Sequence, residues 1–206
     1  MGNIKETFLN PIFKGNPISV LVLGICSSLA VTVQLKGAFV MGLSVMIVTG
    51  LSSLVCSLLR NTIPNRIRII VQLVVVAMMV ILVDQVLKAY AYSVSKTLSV
   101  YIGLIITNCI LMGRLEAFAM QNKPWPSFLD GIGNGVGYAM ILVIVAFFRE
   151  LFGSGTLFNY PVVEKLGLYE YDYLNNGLML MTPAAFILIA CIVWFQRAKD
   201  KSLQEK

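Results

Sequence analysis

The residues with the clearest capacity for chemistry are four cysteines, Cys26, Cys56, Cys109 and Cys191. The chain contains no histidine, which excludes haem, zinc or copper held by histidine, together with Ser-His-Asp triads and Cys–His dyads. No Cys-x-x-Cys pair occurs, so neither a disulfide framework nor a zinc ribbon is expected. Thiolates are soft ligands suited to iron–sulfur clusters, which normally require four of them.

Position in the sequence separates two of these cysteines from the others. Cys26 and Cys109 lie at matched places in two similar apolar stretches, Leu23–Leu29 and Ile106–Met112. The other two are interpreted as small hydrophobic residues, which is the usual role of a lone cysteine in an apolar helix. Cys26 and Cys109 are therefore the candidate metal ligands, with plain packing as the alternative. If this pair binds iron, the remaining thiolates must come from a partner.

The elements that must position these residues are membrane helices. Of 206 residues, 58% are hydrophobic and 13% are charged, and the mean hydropathy is +0.82. A soluble domain carries roughly 45–50% apolar and about 25% charged residues, so an ordinary soluble enzyme, a coiled coil and a disordered chain are excluded. Six apolar stretches reach the roughly 20 residues that a helix needs to cross a bilayer. They cover about 17–35, 38–59, 67–87, 98–116, 131–151 and 176–196.

The basic residues predict an orientation for these spans. Of the sixteen lysines and arginines, eleven fall on the side that holds both termini and five on the other side. The positive-inside rule then places both termini in the cytoplasm of a multi-pass protein. The net charge of +6 is interpreted as a topology signal with some attraction to lipid, and not as a nucleic-acid footprint.

The six spans fall into two similar halves. The second span ends on Leu58-Leu59-Arg60 and the fifth on Phe147-Phe148-Arg149. Because each half has three spans, two copies must have opposite orientations, which is an inverted-topology repeat. We predict an all-α membrane protein with one polytopic domain, 1–206, comprising repeat one at about 16–88 and repeat two at about 98–196. The first and fourth spans are predicted to be short or broken, near Gly24 and near Thr107-Asn108.

Three charged residues inside or beside the spans are further candidates. Asp84 is an intramembrane carboxylate and a functional candidate by default, although an interfacial position near the end of its span, or pairing with Lys88 one turn away, is at least an equal alternative. Arg114 and Glu116 flank the end of the fourth span, where a broken helix would let them line a wet cavity. No catalytic role is assigned to any of them.

A run of four glycines opens the fifth span, at Gly131, Gly133, Gly135 and Gly137. A nucleotide-binding loop is not expected, because no strand precedes the run and it begins an apolar helix. Glycines spaced four apart instead favour close helix packing.

Eight short motifs spread along the chain form a set. They are Asn16-Pro17, Leu23-Gly24-Ile25-Cys26, Arg60-Asn61-x-Ile63-Pro64, Ala89-Tyr90-Ala91-Tyr92, Ile106-Thr107-Asn108-Cys109-Ile110, Gly113-Arg114-x-Glu116-Ala117-Phe118-Ala119, Asp130-Gly131-x-Gly133-Asn134-Gly135 and Arg149-Glu150-x-x-Gly153-Ser154-Gly155. Together they resemble the family of membrane proteins that includes the D subunit of the Na⁺-translocating NADH:quinone reductase and the E subunit of the Rnf complex. The resemblance runs from about Asn16 to Trp194.

The resemblance implies a cofactor, partners and a function. The family's D subunit pairs with a homologous E subunit of opposite topology, at the centre of a six-subunit complex in the bacterial inner membrane. Each of the two contributes two cysteines to an iron–sulfur centre, here expected to be of the 2Fe–2S type. Carried over residue by residue, the ligands in this chain are Cys26 and Cys109. The centre would relay electrons during NADH-to-ubiquinone transfer while Na⁺ is exported to the periplasm.

Under this interpretation the chain is a non-autonomous subunit of a translocase. Flavins, NADH and quinone would be bound by the remaining subunits. The run Val83–Leu87, the turn at Gly153-Ser154-Gly155 and the absence of a proline after Cys26 favour the Na⁺-pumping quinone reductase over the Rnf complex. Two further interpretations stay open, a stand-alone inverted-repeat ion transporter whose cysteines merely pack and an assembly scaffold without a redox role.

Overall fold

The computed structural model describes residues 15–64, 66–90, 101, 103–157, 160–161 and 177–199. This part of the chain is helical apart from two antiparallel two-residue strands, β1 (Thr156–Leu157) and β2 (Tyr160–Pro161), in which Thr156 pairs with Pro161. In chain order the helices are α1 (Ile25–Val31), α2 (Leu35–Leu59), α3 (Arg68–Tyr90), α4 (Cys109–Arg114), a π-helical turn (Leu115–Ala119), α5 (Pro124–Ser154), a 3₁₀ turn (Gly177–Leu180) and α6 (Thr182–Lys199).

Three of these helices, α2, α3 and α5, are long and apolar enough to cross a membrane by length and composition. They correspond to the predicted second, third and fifth spans, and α6 forms a shorter apolar helix within the sixth. Large apolar side chains such as Ile70, Val74 and Met78 are exposed along α3. Apolar exposure of this kind marks a membrane or protein interaction surface. The prediction of a helical chain with apolar helices long enough to cross a membrane is confirmed.

The first predicted span is not one helix. Residues 17–20 form turns, and α1 contains only seven residues before a second interruption at 32–34 separates it from α2. The Asn16 side chain accepts hydrogen bonds from the backbone N–H groups of Ile18 and Ser19, at 3.0 and 3.4 Å, and thereby caps this short turn. Val22 and Gly24 then adopt positive φ angles of 57° and 76°. The predicted break near Gly24 is therefore confirmed.

The fourth span is also broken where the sequence predicts it. Asn108 has extended backbone angles and its side chain accepts a hydrogen bond of 3.1 Å from the Ile110 N–H, which starts α4. Six residues later the chain passes into the π-helical turn. Residues 98–100 and 102, which the prediction included in this span, lie outside the described residues.

Close packing of α2 against α5 forms the centre of the fold. The two helices are antiparallel, since Gly42 lies against Ala139 while Met46, further along α2, lies against the earlier Gly135. A Cβ atom added to Gly135 would lie 2.5 Å from the Met46 Cα, and one added to Gly42 would lie 2.7 Å from the Ala139 Cβ. Only glycine permits this approach. Gly131 and Gly135 of the glycine run thus serve helix packing, as predicted.

Candidate functional site

The two candidate ligands lie at the two broken spans. Cys26 is the second residue of α1 and Cys109 is the first residue of α4. Both side chains are exposed at the surface of this chain, whereas Cys56 is fully buried within α2. Cys191 is exposed within α6, a helix without an interruption. The structure therefore separates the matched pair from the other two cysteines by position, as the sequence does.

The segments that carry Cys26 and Cys109 are in direct contact. A Cβ atom added to Gly24 would lie 2.5 Å from the Ile110 Cδ1 and 3.3 Å from the Asn108 Oδ1. Both the positive φ of Gly24 and this lack of space require glycine at the first break. Two stretches more than eighty residues apart in sequence are thereby brought together at the points where their helices are interrupted.

A buried set of polar side chains links the two breaks to α5. Ser27, Asn108 and Tyr138 are each fully buried. The Asn108 Nδ2 donates to the Ser27 Oγ at 3.3 Å, and the Ser27 Oγ lies 2.7 Å from the Tyr138 hydroxyl. The sequence does not reveal this network, because nothing in local spacing connects residues this far apart.

A buried arginine ties α5 to α1 and to the start of α6. Arg149 is fully buried, and its guanidinium donates to the Leu29 carbonyl at 3.1 Å and to the Thr32 hydroxyl at 2.6 Å. The same group donates to the carbonyls of Met179 and Leu180, at 3.2 and 2.7 Å. It therefore satisfies oxygens at the end of α1 and in the 3₁₀ turn that would otherwise lie unpaired in an apolar environment.

A similar contact is found at the end of α2. The Arg60 Nη1 donates to the Asn122 carbonyl at 2.9 Å, and the Ser57 hydroxyl donates to the same oxygen at 2.6 Å. Asn122 lies two residues before the start of α5. The sequence marks Arg60 and Arg149 as the ends of matched spans, and the structure adds that each fixes a segment from the other half.

The charged candidates are held in ion pairs. Asp84 pairs with Lys88 one turn away, at 2.6 Å, as the pairing interpretation predicts. Arg114 forms a two-point ion pair with the buried Asp130, including a 3.0 Å bond from Nε to Oδ2. The sequence does not identify Asp130 as the partner of Arg114.

Glu116 also forms an ion pair. It pairs with Arg68 and accepts a 2.9 Å hydrogen bond from the Gln72 side chain on α3. These contacts give Glu116 a role in joining the fourth span to the third, which accounts for a charged residue at the end of a membrane span.

The donor chemistry of the cysteine pair fits half of a shared iron–sulfur site. Among the described residues, no group of three or more histidine, cysteine or acidic side chains is placed to hold a metal ion. Cys26 and Cys109 provide two soft sulfur donors on segments that touch, and both are exposed toward the outside of the chain. Such a pair is suited to a cluster completed by thiolates from a second protein chain.

Comparison with known proteins identifies the family of the chain. Residues 4–193 match the family described as Rnf-Nqr subunit, membrane protein. The chain belongs to the Rnf-Nqr family. Members named as the D subunit of Na⁺-translocating NADH-quinone reductase, from three strains of Haemophilus influenzae, are 57% identical to it over 205 residues. The matches cover 98% of this Rnf-Nqr chain and 97% of each relative, so the similarity is not confined to one segment.

Proposed function

We propose that this chain is the D-type subunit of a Na⁺-translocating NADH:quinone reductase. In this role it relays electrons through an intramembrane iron–sulfur centre, of 2Fe–2S type, shared with the homologous E-type subunit. The relay couples NADH-to-ubiquinone electron transfer to Na⁺ export across the bacterial inner membrane. The observation that carries the proposal is the placement of Cys26 and Cys109, both exposed, on two broken helices that contact each other.

Two cysteines of this chain would hold the centre, and neighbouring residues cover the irregular backbone beside it. Cys26 and Cys109 would supply two thiolates, and the E-type partner would supply the others. When bound, the centre supplies a one-electron carrier within the membrane. Irregular backbone at membrane depth is tolerated only where protein or a wet cavity covers it. The packing of Gly24 against Ile110 covers part of the irregular backbone in this way.

The packing of α2 against α5 is antiparallel, as the proposed inverted repeat of 16–88 and 98–196 requires of its second and fifth spans. Counted from their first residues, Gly42 and Gly131 are both eighth, and Gly50 and Ala139 are both sixteenth. The eighth residue of each helix meets the sixteenth residue of the other. Every antiparallel pair of helices exchanges partners in this way, so the independent support comes from the arginines at the helix ends.

The arginine contacts follow the same relation. Arg60 and Arg149 are both the twenty-sixth residue counted from the starts of α2 and α5. Arg149 donates to Leu29 and Thr32, shortly before α2 begins, and Arg60 donates to Asn122, shortly before α5 begins. With both termini in the cytoplasm, the two arginines would lie at opposite sides of the membrane, as inverted repeats require.

Because both breaks share one contact surface, a change in charge beside them acts on both halves together. If the two halves have two arrangements that interact differently with that charge, the charge would shift the equilibrium between them. This is the route we propose for coupling electron transfer to ion movement.

Metal analysis of the assembled complex tests the cysteine assignment. The chain is co-expressed with its E-type partner and the remaining subunits, and iron and acid-labile sulfide are measured in the purified complex. We expect both to be lost in Cys26→Ala and in Cys109→Ala. Cys191→Ala, which removes an exposed cysteine on α6, should retain them.

Two results would contradict the proposal. Unchanged iron in both Cys26→Ala and Cys109→Ala would contradict the assignment of these cysteines as ligands. Electron transfer from NADH to quinone at the full rate in Cys109→Ala would contradict the proposed relay. Na⁺ movement by the chain reconstituted alone would support the stand-alone transporter instead.

A further inference from the structure

The buried network at the breaks is placed next to both cysteines. Ser27 directly follows Cys26, and Asn108 directly precedes Cys109. Neighbouring Cα atoms are about 3.8 Å apart across a trans peptide, so an anchored residue restricts the position of the cysteine beside it. Ser27 and Asn108 have no exposed surface, whereas the cysteines themselves are exposed. The anchoring of each cysteine segment therefore lies in its buried neighbour.

The hydrogen-bonding capacity of Ser27 is fully used. A serine hydroxyl has one donor and two acceptor positions. The Ser27 Oγ donates to the Gly24 carbonyl at 3.0 Å, so it accepts from the Asn108 Nδ2 at 3.3 Å. The remaining acceptor position faces the Tyr138 hydroxyl at 2.7 Å, which makes Tyr138 the donor. One arrangement of hydrogens satisfies all three contacts.

The network joins three separate parts of the fold. Ser27 belongs to α1, Asn108 starts α4 and Tyr138 lies in the middle of α5. Asn108 is fixed a second time, because its Oδ1 accepts from the Ile110 N–H. The two cysteine segments are thus oriented relative to each other and to the buried middle of α5.

We infer that Ser27, Asn108 and Tyr138 form a positioning unit that sets the separation and orientation of Cys26 and Cys109, an inference that rests on the proposed iron–sulfur function. The unit acts through the backbone of its neighbours and does not itself bind the cluster. A cluster potential depends on the geometry and hydrogen bonding around its ligands. Loosening the unit should therefore change the properties of the cluster while leaving all its ligands present.

Ser28 provides a matched control for this unit. It is the next residue of α1, is as fully buried as Ser27, and donates to the Ile25 carbonyl of its own helix at 2.8 Å. Ser28→Ala removes the same hydroxyl from the same helix without breaking the link to α4 or α5. Tyr138→Phe offers a second test, since it keeps the buried ring and removes only the hydroxyl.

The experiment compares the purified complex carrying Ser27→Ala, Tyr138→Phe or Ser28→Ala with the parent. Iron content, the electron paramagnetic resonance spectrum of the reduced cluster and its midpoint potential are measured for each. The midpoint potential shifts only by the difference between the effects on the oxidised and reduced states, so the loss of one neutral hydrogen bond changes the equilibrium constant for one-electron reduction by at most about fivefold. At about 59 mV for each tenfold change, the largest expected shift is about 40 mV.

We expect Ser27→Ala and Tyr138→Phe to keep parental iron, to broaden the spectrum and to shift the potential, while Ser28→Ala matches the parent. A parental spectrum and potential in both variants would overturn the inference. So would an equal change in Ser28→Ala, or failure of both variants to assemble, which would indicate a purely structural role. If the parent complex itself held no iron dependent on Cys26 and Cys109, the proposed function would fail instead.

Discussion

Replacement of Arg149 by lysine tests whether one buried guanidinium holds the Cys26-bearing segment in place. Arg149 donates to five oxygens, belonging to Leu29, Thr32, Met179, Leu180 and Met181. A lysine ammonium has three donors and no fork geometry, so at least two of these contacts must be lost.

The size of the effect follows from the contacts that disappear. Hydrogen bonds that involve a charged group contribute about 1.5–3 kcal/mol each, so the loss of two is worth about 3–6 kcal/mol. For a chain of this size, each kcal/mol lowers the melting temperature by about 2–4 °C. We therefore expect Arg149→Lys to melt at least about 6 °C below the parent.

The assay uses the fully buried thiol of Cys56 as a reporter of unfolding. The purified complex is heated with a thiol reagent, and modification of Cys56 is resolved by mass spectrometry. Arg60→Lys is the matched control, because Arg60 is partly exposed and donates to the single carbonyl of Asn122 in the described contacts. A melting temperature for Arg149→Lys within about 2 °C of the parent would refute the reasoning, as would an equal loss in Arg60→Lys.

Four further substitutions have expected outcomes. Gly135→Ala should destabilise the complex by about 1–3 kcal/mol, because the added Cβ would clash with the α2 backbone. The same melting assay measures this loss. Gly103→Ala is the control and should leave the stability unchanged, since nothing lies within 4 Å of the added Cβ. Gly24→Ala should lower the iron content of the purified complex, because it opposes both the positive φ and the contact with α4; parental iron would contradict this. Lys88→Ala should change the melting temperature by no more than about 2 °C, since its ion pair with Asp84 is partly exposed.

Local sequence signals are sufficient for three of the six predicted spans, for the two breaks and for the position of Cys26 and Cys109 at those breaks. Long apolar stretches predict α2, α3 and α5 because the cost of burying charge in a bilayer leaves a clear gap between ionisable residues. Gly24 and Asn108 mark the breaks because each favours backbone conformations that interrupt a helix.

Contacts between distant segments could not be predicted in the same way. Ser27 bonds to Asn108 and Tyr138, 81 and 111 residues away, and Arg149 bonds to Leu29, 120 residues away, so local spacing does not reveal these contacts. The first span, predicted over 17–35, is also longer than the helix α1 that the structure contains. Hydropathy does not report the turn at Asn16 or the positive φ of Val22. Apolar composition identifies a membrane segment without specifying how much of it is helical.

The contact between Met46 and Gly135 has a consequence for the two halves of the chain. Both are the twelfth residue of their helices, so this is the place where equivalent positions face each other. Two methionines there would collide, and two glycines would leave a void. One half must therefore carry the methionine and the other half the glycine. Copying either helix onto the other would consequently fail at this point, and the two segments are not interchangeable despite their similar course.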